Sequence, residues 1–206
     1  RIIAIRDNLE VNLPQRITRE WQLRVDEDLA TFPPSATELA PLSEAERKGF
    51  ETNPRIAYGT TLVASLVLPE CAVYIQLGDG DMLIVSGDGE GVAPVRPLPG
   101  DPRSFANDTA SLSSTGRMAD EKRPGGGGGP WSDFRVGFVP IMSNPPALIL
   151  LTTDGYPNAF VNDAAFCMVA TDLLSMIKND GWDFVREQMP AWLQEASRLG
   201  SGDDVT

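Results

Sequence analysis

A series of short apolar segments separated by turn residues is the feature that most limits what this chain can fold into. Three of them follow one another at residues 57–70, 71–79 and 81–86, as AYGTTLVASLVLPE, CAVYIQLGD and DMLIVS. They are rich in valine, isoleucine, leucine and threonine, and turn residues stand between them, which is the pattern of short β-strands. We predict an antiparallel meander, with GVAPVRPL as an added edge strand because of its prolines. RVGFVPI and ALILLTT predict two more strands.

Segments with helical periodicity precede and follow these strands in the sequence. Apolar residues recur at every fourth position near the start of the chain, at Leu13, Ile17, Trp21, Val25 and Leu29. This spacing predicts an amphipathic helix that has Pro14 in its first turn and ends before Pro33 and Pro34. Two more helices are expected at about residues 160–179 and 182–198. A helix, several strands and then two helices, without strict βαβ alternation, predict an α+β fold with an antiparallel sheet.

Length, charge and composition narrow the class of protein. The 206 residues fit a single domain over residues 1–206, although the start at Arg1 and the end at GSGDDVT resemble cuts through a larger domain. The net charge of −12 disfavours a nucleic-acid-binding surface. No apolar run approaches the ~20 residues that cross a bilayer, so no membrane partner is expected. Cys71 and Cys167 are interpreted as free thiols, which indicates the cytoplasm, and a disulfide between them is the alternative. Residues 99–133, with the run PGGGGGP, are predicted as a mobile loop.

The sequence contains no histidine, and this limits the chemistry that the chain can perform. The absence excludes Ser-His-Asp and Cys-His nucleophile systems, histidine-based zinc catalysis and the HExxH motif. The ligands of a catalytic metal would therefore be oxygen atoms, which Mg²⁺, Mn²⁺ and Ca²⁺ prefer.

Aspartates stand at the ends of the apolar segments. Asp79 ends AVYIQLG and Asp154 ends LILLTT, with Gly155 directly after it. Asp203 lies beside Asp204 in GSGDDVT, where VT has the character of a strand beginning. Each can be a solvated turn residue, since Gly-Asp-Gly is common in hairpins. Carboxylates at the tips of neighbouring strands of one sheet can instead project into one mouth, where they repel each other unless a divalent cation joins them.

Four motifs, taken in order, carry a resemblance to a known family. YGTTLVASLV, YIQLGDGDMLIVSGDGE, LILLTTDGYPNAF and GSGDDVT resemble segments of the metal-dependent, type 2C serine/threonine protein phosphatases, and more closely those of their bacterial branch. In that family a Gly-Thr-Thr opens a strand and a Gly-Asp closes the next. An Asp-Gly then follows an apolar strand, and an Asp-Asn or Asp-Asp precedes Val-Thr. The resemblance covers about residues 14–32 and 57–206.

The resemblance implies two antiparallel β-sheets packed as a sandwich and flanked by helices, with metals bound at one end. Asp154 and Asp203 match family positions that bind a pair of Mg²⁺ or Mn²⁺ ions, and Asp79 matches a position used for a weaker third metal. Gly155 matches a glycine beside the metal-binding aspartate, where a side chain would crowd the site. Asp204 stands where many relatives carry asparagine and is not assigned a metal.

The implied activity is hydrolysis of phosphoserine or phosphothreonine in a phosphoprotein by a metal-activated water, opposite a cognate serine/threonine kinase. An early acidic residue and a second Asp-Gly motif of the family would fall before residue 1, so part of the family's metal site has no counterpart in this sequence. This leaves open a catalytically inactive phosphatase-like module that binds phosphoproteins or regulates a kinase. A generic α+β binding domain, whose acidic turns take up stray Ca²⁺, is a third alternative.

Overall fold

The computed structural model describes residues 2–87, 93–99, 109–114, 130–141 and 144–206. The Cα positions divide the chain into two units. The first combines Arg1–Leu62 with Asp108–Phe134, and the second combines Val63–Asn107 with Arg135–Thr206. All the strand-end aspartates singled out in the sequence belong to the second unit.

The first unit is helical in its described residues. Its elements are α1 (Ile2–Thr31), α2 (Ala36–Leu39), α3 (Glu44–Thr52) and 3-10 turns at Pro54–Tyr58 and Pro130–Asp133. Ser35 and Ser43 begin α2 and α3 with capping boxes, in which the serine hydroxyl accepts a hydrogen bond from a backbone N–H three residues further on. The chain between the prolines and the first strand is therefore ordered by local hydrogen bonds at its helix starts.

The predicted start of α1 is wrong, whereas its predicted end is confirmed. The helix begins at Ile2, carries Pro14 in its interior and ends at Thr31. A proline inside a helix lacks one N–H donor and its ring crowds the carbonyl four residues back, at a cost of about 3 kcal/mol. Pro14 is buried, and Leu9 and Leu13 before it are partly buried. Thr18, one turn after the proline, is buried as well, so packing on both sides of Pro14 offsets the lost hydrogen bond and the helix continues through it.

The second unit carries two antiparallel sheets. The strands are β1 (Leu62–Val67), β2 (Cys71–Leu77), β3 (Asp81–Ser86), β4 (Arg135–Pro140) and β5 (Pro146–Thr152). The first sheet has the order β1-β2-β4, and the second pairs β3 with β5. Tyr74 lies opposite Gly137 in the first sheet, and Leu83 lies opposite Leu150 in the second. The predicted α+β fold with two antiparallel sheets and flanking helices is confirmed.

The prediction of one continuous meander is wrong, because β2 and β3 belong to different sheets. Strand β2 is buried along its whole length, which requires cover on both of its faces rather than on one. The chain changes sheet at Gly78 and Gly80. Gly78 has a φ of +91°, and a Cβ atom at Gly80 would lie 2.5 Å from Val63 Cγ2 and 2.8 Å from the carbonyl oxygen of Thr152. The two sheets therefore approach each other too closely at this crossing for a side chain.

Two apolar layers hold the second unit together. The layer between the sheets contains Ala72 and Tyr74 of β2 together with Met82 and Ile84 of β3. The alternate residues of β3 point to the other layer, as the two-residue period of a strand requires. That layer contains Leu83 and Val85 of β3 and side chains of the helices, namely Tyr156, Phe166, Ala170 and Leu174. The continuous apolar run DMLIVS is thus explained by burial on both faces.

The helices of the second unit follow β5. They are α4 (Gly155–Asn158), α5 (Asp163–Asp180) and α6 (Trp182–Ala196), followed by a π-helical turn at Ser197–Ser201. The two long helices agree with those predicted from periodicity. Phe166, Ala170 and Leu174 of α5 pack on β3. This packing covers the second sheet on the side away from the first.

The chain between β3 and β4 is described only in part. Of the predicted mobile loop at 99–133, residues 99, 109–114 and 130–133 are described, and the run PGGGGGP lies outside the described residues. In the predicted edge strand, Val95 forms an isolated antiparallel bridge with Ile84. Among the described residues, no helix has the length and apolar character that crossing a membrane requires.

Candidate active site

A cleft of about 520 Å³ opens where strands of the second unit begin and end. Asp79, which follows β2, and Asp154, which follows β5, both line this cleft. Strand β2 belongs to the first sheet and β5 to the second. The fold therefore brings one predicted carboxylate from each sheet to a common opening, whereas the sequence analysis expected the tips of strands of one sheet.

Asp154 stands where β5 ends and α4 begins. Its backbone is helical, with φ −63° and ψ −26°, and its carbonyl oxygen accepts a hydrogen bond from the backbone N–H of Asn158 at 3.1 Å. An aspartate at this position commonly caps the helix through its side chain. The Asp154 carboxylate makes no such capping hydrogen bond. The carboxylate lines the cleft instead of terminating the helix.

Gly155 is a point of close approach between two segments of backbone. A Cβ atom at this position would overlap the carbonyl oxygen of Asp204 and would lie 3.4 Å from Cβ of Asp203. Because the overlapping atom belongs to backbone, a small rotation of a side chain could not relieve the contact. The absence of a side chain at Gly155 lets residues 203 and 204 lie directly against the end of β5.

Residues 203–206 are held along the end of β5 by Thr153. The Thr153 N–H donates to the carbonyl oxygen of Thr206 at 3.1 Å, and the Thr153 hydroxyl donates to that of Asp204 at 3.2 Å. The same hydroxyl accepts from the Thr206 N–H at 3.1 Å. Asp203 is exposed, and its Oδ1 accepts from the Asp204 N–H at 2.8 Å. Asp203 is not among the residues that line the cleft, so the structure brings Asp79 and Asp154 together there and places Asp203 beside Gly155.

Three further residues of the cleft form an ion-pair network that the sequence analysis missed. Arg96 donates from Nε to Asp81 Oδ1 at 2.8 Å and from Nη2 to Asp81 Oδ2 at 2.7 Å. It also donates from Nη1 and Nη2 to the two oxygens of Asp163, at 3.2 and 2.5 Å. Its guanidinium carbon lies 5.9 Å from the ring centroid of Phe166. The spacing in GDGD points to Asp81, but no local pattern links it to an arginine 15 residues further along the chain.

The contacts of the network shift the pKa values of Arg96 and Asp163. Hydrogen bonds from Arg96 lower the pKa of Asp163. The pKa of Arg96 is raised, mainly by its hydrogen bonds to Asp81 and next by those to Asp163. Cys167 Sγ lies 3.8 Å from Asp163 Oδ2. The pKa of the Cys167 thiol is raised, mainly by burial and to a smaller extent by the negative charge of Asp163. Because the thiolate is the reactive form, a cysteine in this environment is a poor nucleophile.

Comparison with protein-family models decides the family of the chain. A family model described as protein phosphatase 2C matches residues 4–194. The chain belongs to the protein phosphatase 2C family. The resemblance is thereby confirmed at the level of the family, and the first three of its four motifs lie inside the matched residues. A search of the curated proteins found no match.

The match to the protein phosphatase 2C family covers some of the predicted site residues and not others. Asp79, Asp154 and Gly155 lie inside the matched residues, whereas Asp203 and Asp204 lie beyond residue 194. The match thus covers both of the predicted carboxylates that line the cleft. Asp203 is placed by the structure alone, beside Gly155, where a Cβ atom would lie 3.4 Å from Cβ of Asp203.

The donor atoms of this protein phosphatase 2C cleft suit a hard divalent cation. Asp79 and Asp154 offer carboxylate oxygens, and Mg²⁺ commonly takes one or two carboxylates and keeps several waters. Within the described part of the chain, no group of three acidic or cysteine side chains is placed to hold a metal ion. The described residues therefore fit such a cation in donor type without completing a set of three protein ligands. The assignment of Asp154, Asp203 and Asp79 as ligands stays a prediction.

Proposed function

We propose that the protein catalyses metal-dependent hydrolysis of phosphoserine and phosphothreonine in phosphoproteins. Membership of the protein phosphatase 2C family supports phosphatase chemistry. The observation that carries the proposal is the meeting of Asp79 and Asp154 at one cleft, although they follow strands of different sheets. Such an opening offers oxygen ligands at a place that a phosphoryl group can enter.

In this proposal, Asp154 and Asp203 hold a pair of Mg²⁺ or Mn²⁺ ions and Asp79 holds a weaker third ion. Bound cations of this kind neutralise charge on phosphoryl oxygens and make water a better nucleophile. Gly155 keeps the backbone of Asp203 and Asp204 close to the end of β5. A chain without histidine, whose Cys167 has a raised pKa, agrees with hydrolysis that forms no covalent enzyme intermediate.

The charge of the cleft gives a physical reason for requiring cations. Its lining residues include four aspartates and one arginine. A phosphate monoester carries about two negative charges near neutral pH. Two like charges 4 Å apart near a protein surface repel each other by about 4 kcal/mol. The substrate would therefore be rejected unless bound cations reversed the local charge.

The setting that we propose is a bacterial cytoplasm in which a cognate serine/threonine kinase supplies the phosphoprotein. The resemblance of the motifs to the bacterial branch of the family supports the origin. Cys71 and Cys167 are both free thiols, which agrees with a reducing compartment. The net charge of −12 argues against nucleic acid as a partner.

A second candidate function is a catalytically inactive phosphatase-like module that binds phosphoproteins or regulates a kinase. The observation in its favour is that the described residues contain no group of three potential metal ligands. Such a module would bind a phosphorylated peptide without hydrolysing it. Activity and binding must therefore be measured on the same substrate.

Hydrolysis of p-nitrophenyl phosphate and of a phosphothreonine peptide by the full-length protein tests the proposal. We expect turnover with Mn²⁺ or Mg²⁺ that EDTA abolishes. Asp154→Asn should lower kcat about 100-fold or more, since the loss of a metal ligand removes several kcal/mol of transition-state stabilisation. The matched control is Asp172→Asn at an exposed position of α5, which should keep full activity.

Each other result has a definite meaning. Absence of metal-dependent turnover in a folded protein, with binding of the phosphopeptide, would replace the enzyme by the inactive module. Turnover of the aryl phosphate without turnover of the peptide would contradict the specificity for phosphoproteins. Full activity of Asp154→Asn would remove Asp154 from the set of ligands.

A further inference from the structure

One nitrogen atom of Arg96 lies between two carboxylates of the cleft. Nη2 is 2.7 Å from Asp81 Oδ2 and 2.5 Å from Asp163 Oδ1. The remaining guanidinium nitrogens donate to the same two side chains, Nε to Asp81 and Nη1 to Asp163. Two carboxylate oxygens that converge on one point are an arrangement that otherwise attracts a metal cation. The guanidinium group occupies that point.

Three separate segments of the chain are joined by this contact. Asp81 is the first residue of β3, and Asp163 is the first residue of α5. Arg96 belongs to the segment held to β3 by two hydrogen bonds between Val95 and Ile84, at 2.8 and 2.9 Å. The two carboxylates thus begin elements of regular structure, and the backbone beside Arg96 is held to β3 by hydrogen bonds. The position of the guanidinium group is set by the fold and not by a flexible loop alone.

The chemistry of arginine suits this position better than that of lysine. A guanidinium group is planar, remains charged at any ordinary pH and has five donors, so it can serve two carboxylates at once. It also lies close to the ring of Phe166, 5.9 Å from the centroid, where a cation is attracted to the π face. An ammonium group would offer one point charge in place of the fork.

We propose that Arg96 is a positioning residue that acts as a built-in cation for Asp81 and Asp163. It would withdraw these two carboxylates from the set available to divalent cations and so direct metal binding to the part of the cleft that contains Asp154. The inference rests on the proposed function in that it concerns where divalent cations bind. The Asp81 side chain is only 16% exposed, whereas the Asp163 side chain is 68% exposed, so without Arg96 the two negative charges would repel each other with little water around Asp81 to screen them. A divalent cation would relieve that repulsion.

Counting bound Mn²⁺ ions tests the inference. The electron paramagnetic resonance signal reports free Mn²⁺, and its difference from the total Mn²⁺ gives the number of ions bound per chain. This number is measured for the wild-type full-length protein and for Arg96→Gln. We expect Arg96→Gln to bind about one additional Mn²⁺ ion, because two converging carboxylates are then open to a cation. The matched control adds Asp81→Asn and Asp163→Asn to Arg96→Gln, and this triple variant should return to the wild-type number.

Each outcome is decisive for the role of Arg96. Equal Mn²⁺ binding by wild type and Arg96→Gln would overturn the inference, as would extra binding that persists in the triple variant. If the wild type binds no Mn²⁺ and Arg96→Gln does bind it, the inference is supported. That same result would contradict the metal sites of the proposed function. If circular dichroism shows that Arg96→Gln is unfolded, Arg96→Met replaces it, because methionine keeps much of the aliphatic stem and carries no charge. The methionine variant should then bind more Mn²⁺ than wild type, and wild-type binding would overturn the inference.

Discussion

Replacing Gly155 by alanine perturbs the geometry of the candidate site without removing a carboxylate. The added Cβ atom would overlap the carbonyl oxygen of Asp204 and would lie 3.2 Å from the carbonyl carbon of that residue. Backbone atoms cannot rotate out of the way as the end of a long side chain can. Either residues 203–206 move away from β5 or the start of α4 moves, and in both cases Asp203 changes its position relative to Asp154.

The size of the effect can be worked out in two ways. Forcing an extra methyl group into a well-packed place usually costs about 1–3 kcal/mol. Alternatively, residues 203–206 detach from Thr153 and lose three hydrogen bonds. Each is worth about 0.5–1.5 kcal/mol, with the lower end appropriate to groups that water can reach. Both routes predict a loss of about 1–3 kcal/mol, or a fall in Tm of about 2–12 °C for a chain of this length.

Urea unfolding followed by circular dichroism measures the global loss. Hydrogen exchange of the Thr153 and Thr206 amides measures the local one, because both N–H groups donate across the contact between β5 and residues 203–206. We expect faster exchange at these two amides in Gly155→Ala than in wild type. We also expect lower phosphatase activity with Mn²⁺, since the backbone that carries Asp203 is displaced.

Gly49→Ala is the matched control for this experiment. Gly49 lies within α3, and nothing lies within 4 Å of the position of its Cβ atom. Alanine there should raise the stability by about 0.5–1 kcal/mol, because glycine is a poor helix former. Wild-type stability of Gly155→Ala, together with unchanged exchange at Thr153 and Thr206, would refute the reasoning that backbone fills the space beside Gly155.

Two further predictions concern the start of α5. Phe166→Ala should lower the free energy of unfolding by about 3–5 kcal/mol, because the ring is 1% exposed in the layer between helices and sheet. Val161→Ala, at 90% exposure, should change it by less than about 0.5 kcal/mol in the same urea titration, and equal losses would contradict this account. Asp163→Asn should be less stable than wild type above the ordinary aspartate pKa of 3.8. Because Arg96 lowers the pKa of Asp163, this difference should vanish as the pH falls through the lowered value, and a difference that grows in acid would be the wrong sign.

The strands could be located from the sequence, but their partners could not. Runs such as DMLIVS and ALILLTT have a local composition that favours extended backbone, and both form strands. The predicted meander failed at Gly80, where the chain leaves one sheet for the other. That crossing depends on Val63 and Thr152, which lie 17 or more residues away and come into contact only in the folded chain.

The candidate site divides in the same way. Asp79 and Asp154 were identifiable because each ends an apolar run, and strand ends open onto the edge of a sheet. Arg96 and Asp163 were missed, since 67 residues separate them and neither belongs to a recognisable motif. Their pairing is a product of the packing of β3 against α5 and of the bridge between Val95 and Ile84.

The sequence by itself determined the chemistry that is available to this protein. The absence of histidine removes imidazole nitrogen from the possible metal ligands, and the ordered motifs indicate the protein phosphatase 2C family, which the family match over residues 4–194 confirms. Local patterns also determined where the strands and the two long helices lie, because backbone preference and side-chain period act between near neighbours. Only the tertiary structure decided that Asp79 and Asp154 share a cleft and that Arg96 neutralises its other carboxylates. Such meetings depend on the pairing of strands and on burial between residues far apart in the chain, and no local pattern contains that information.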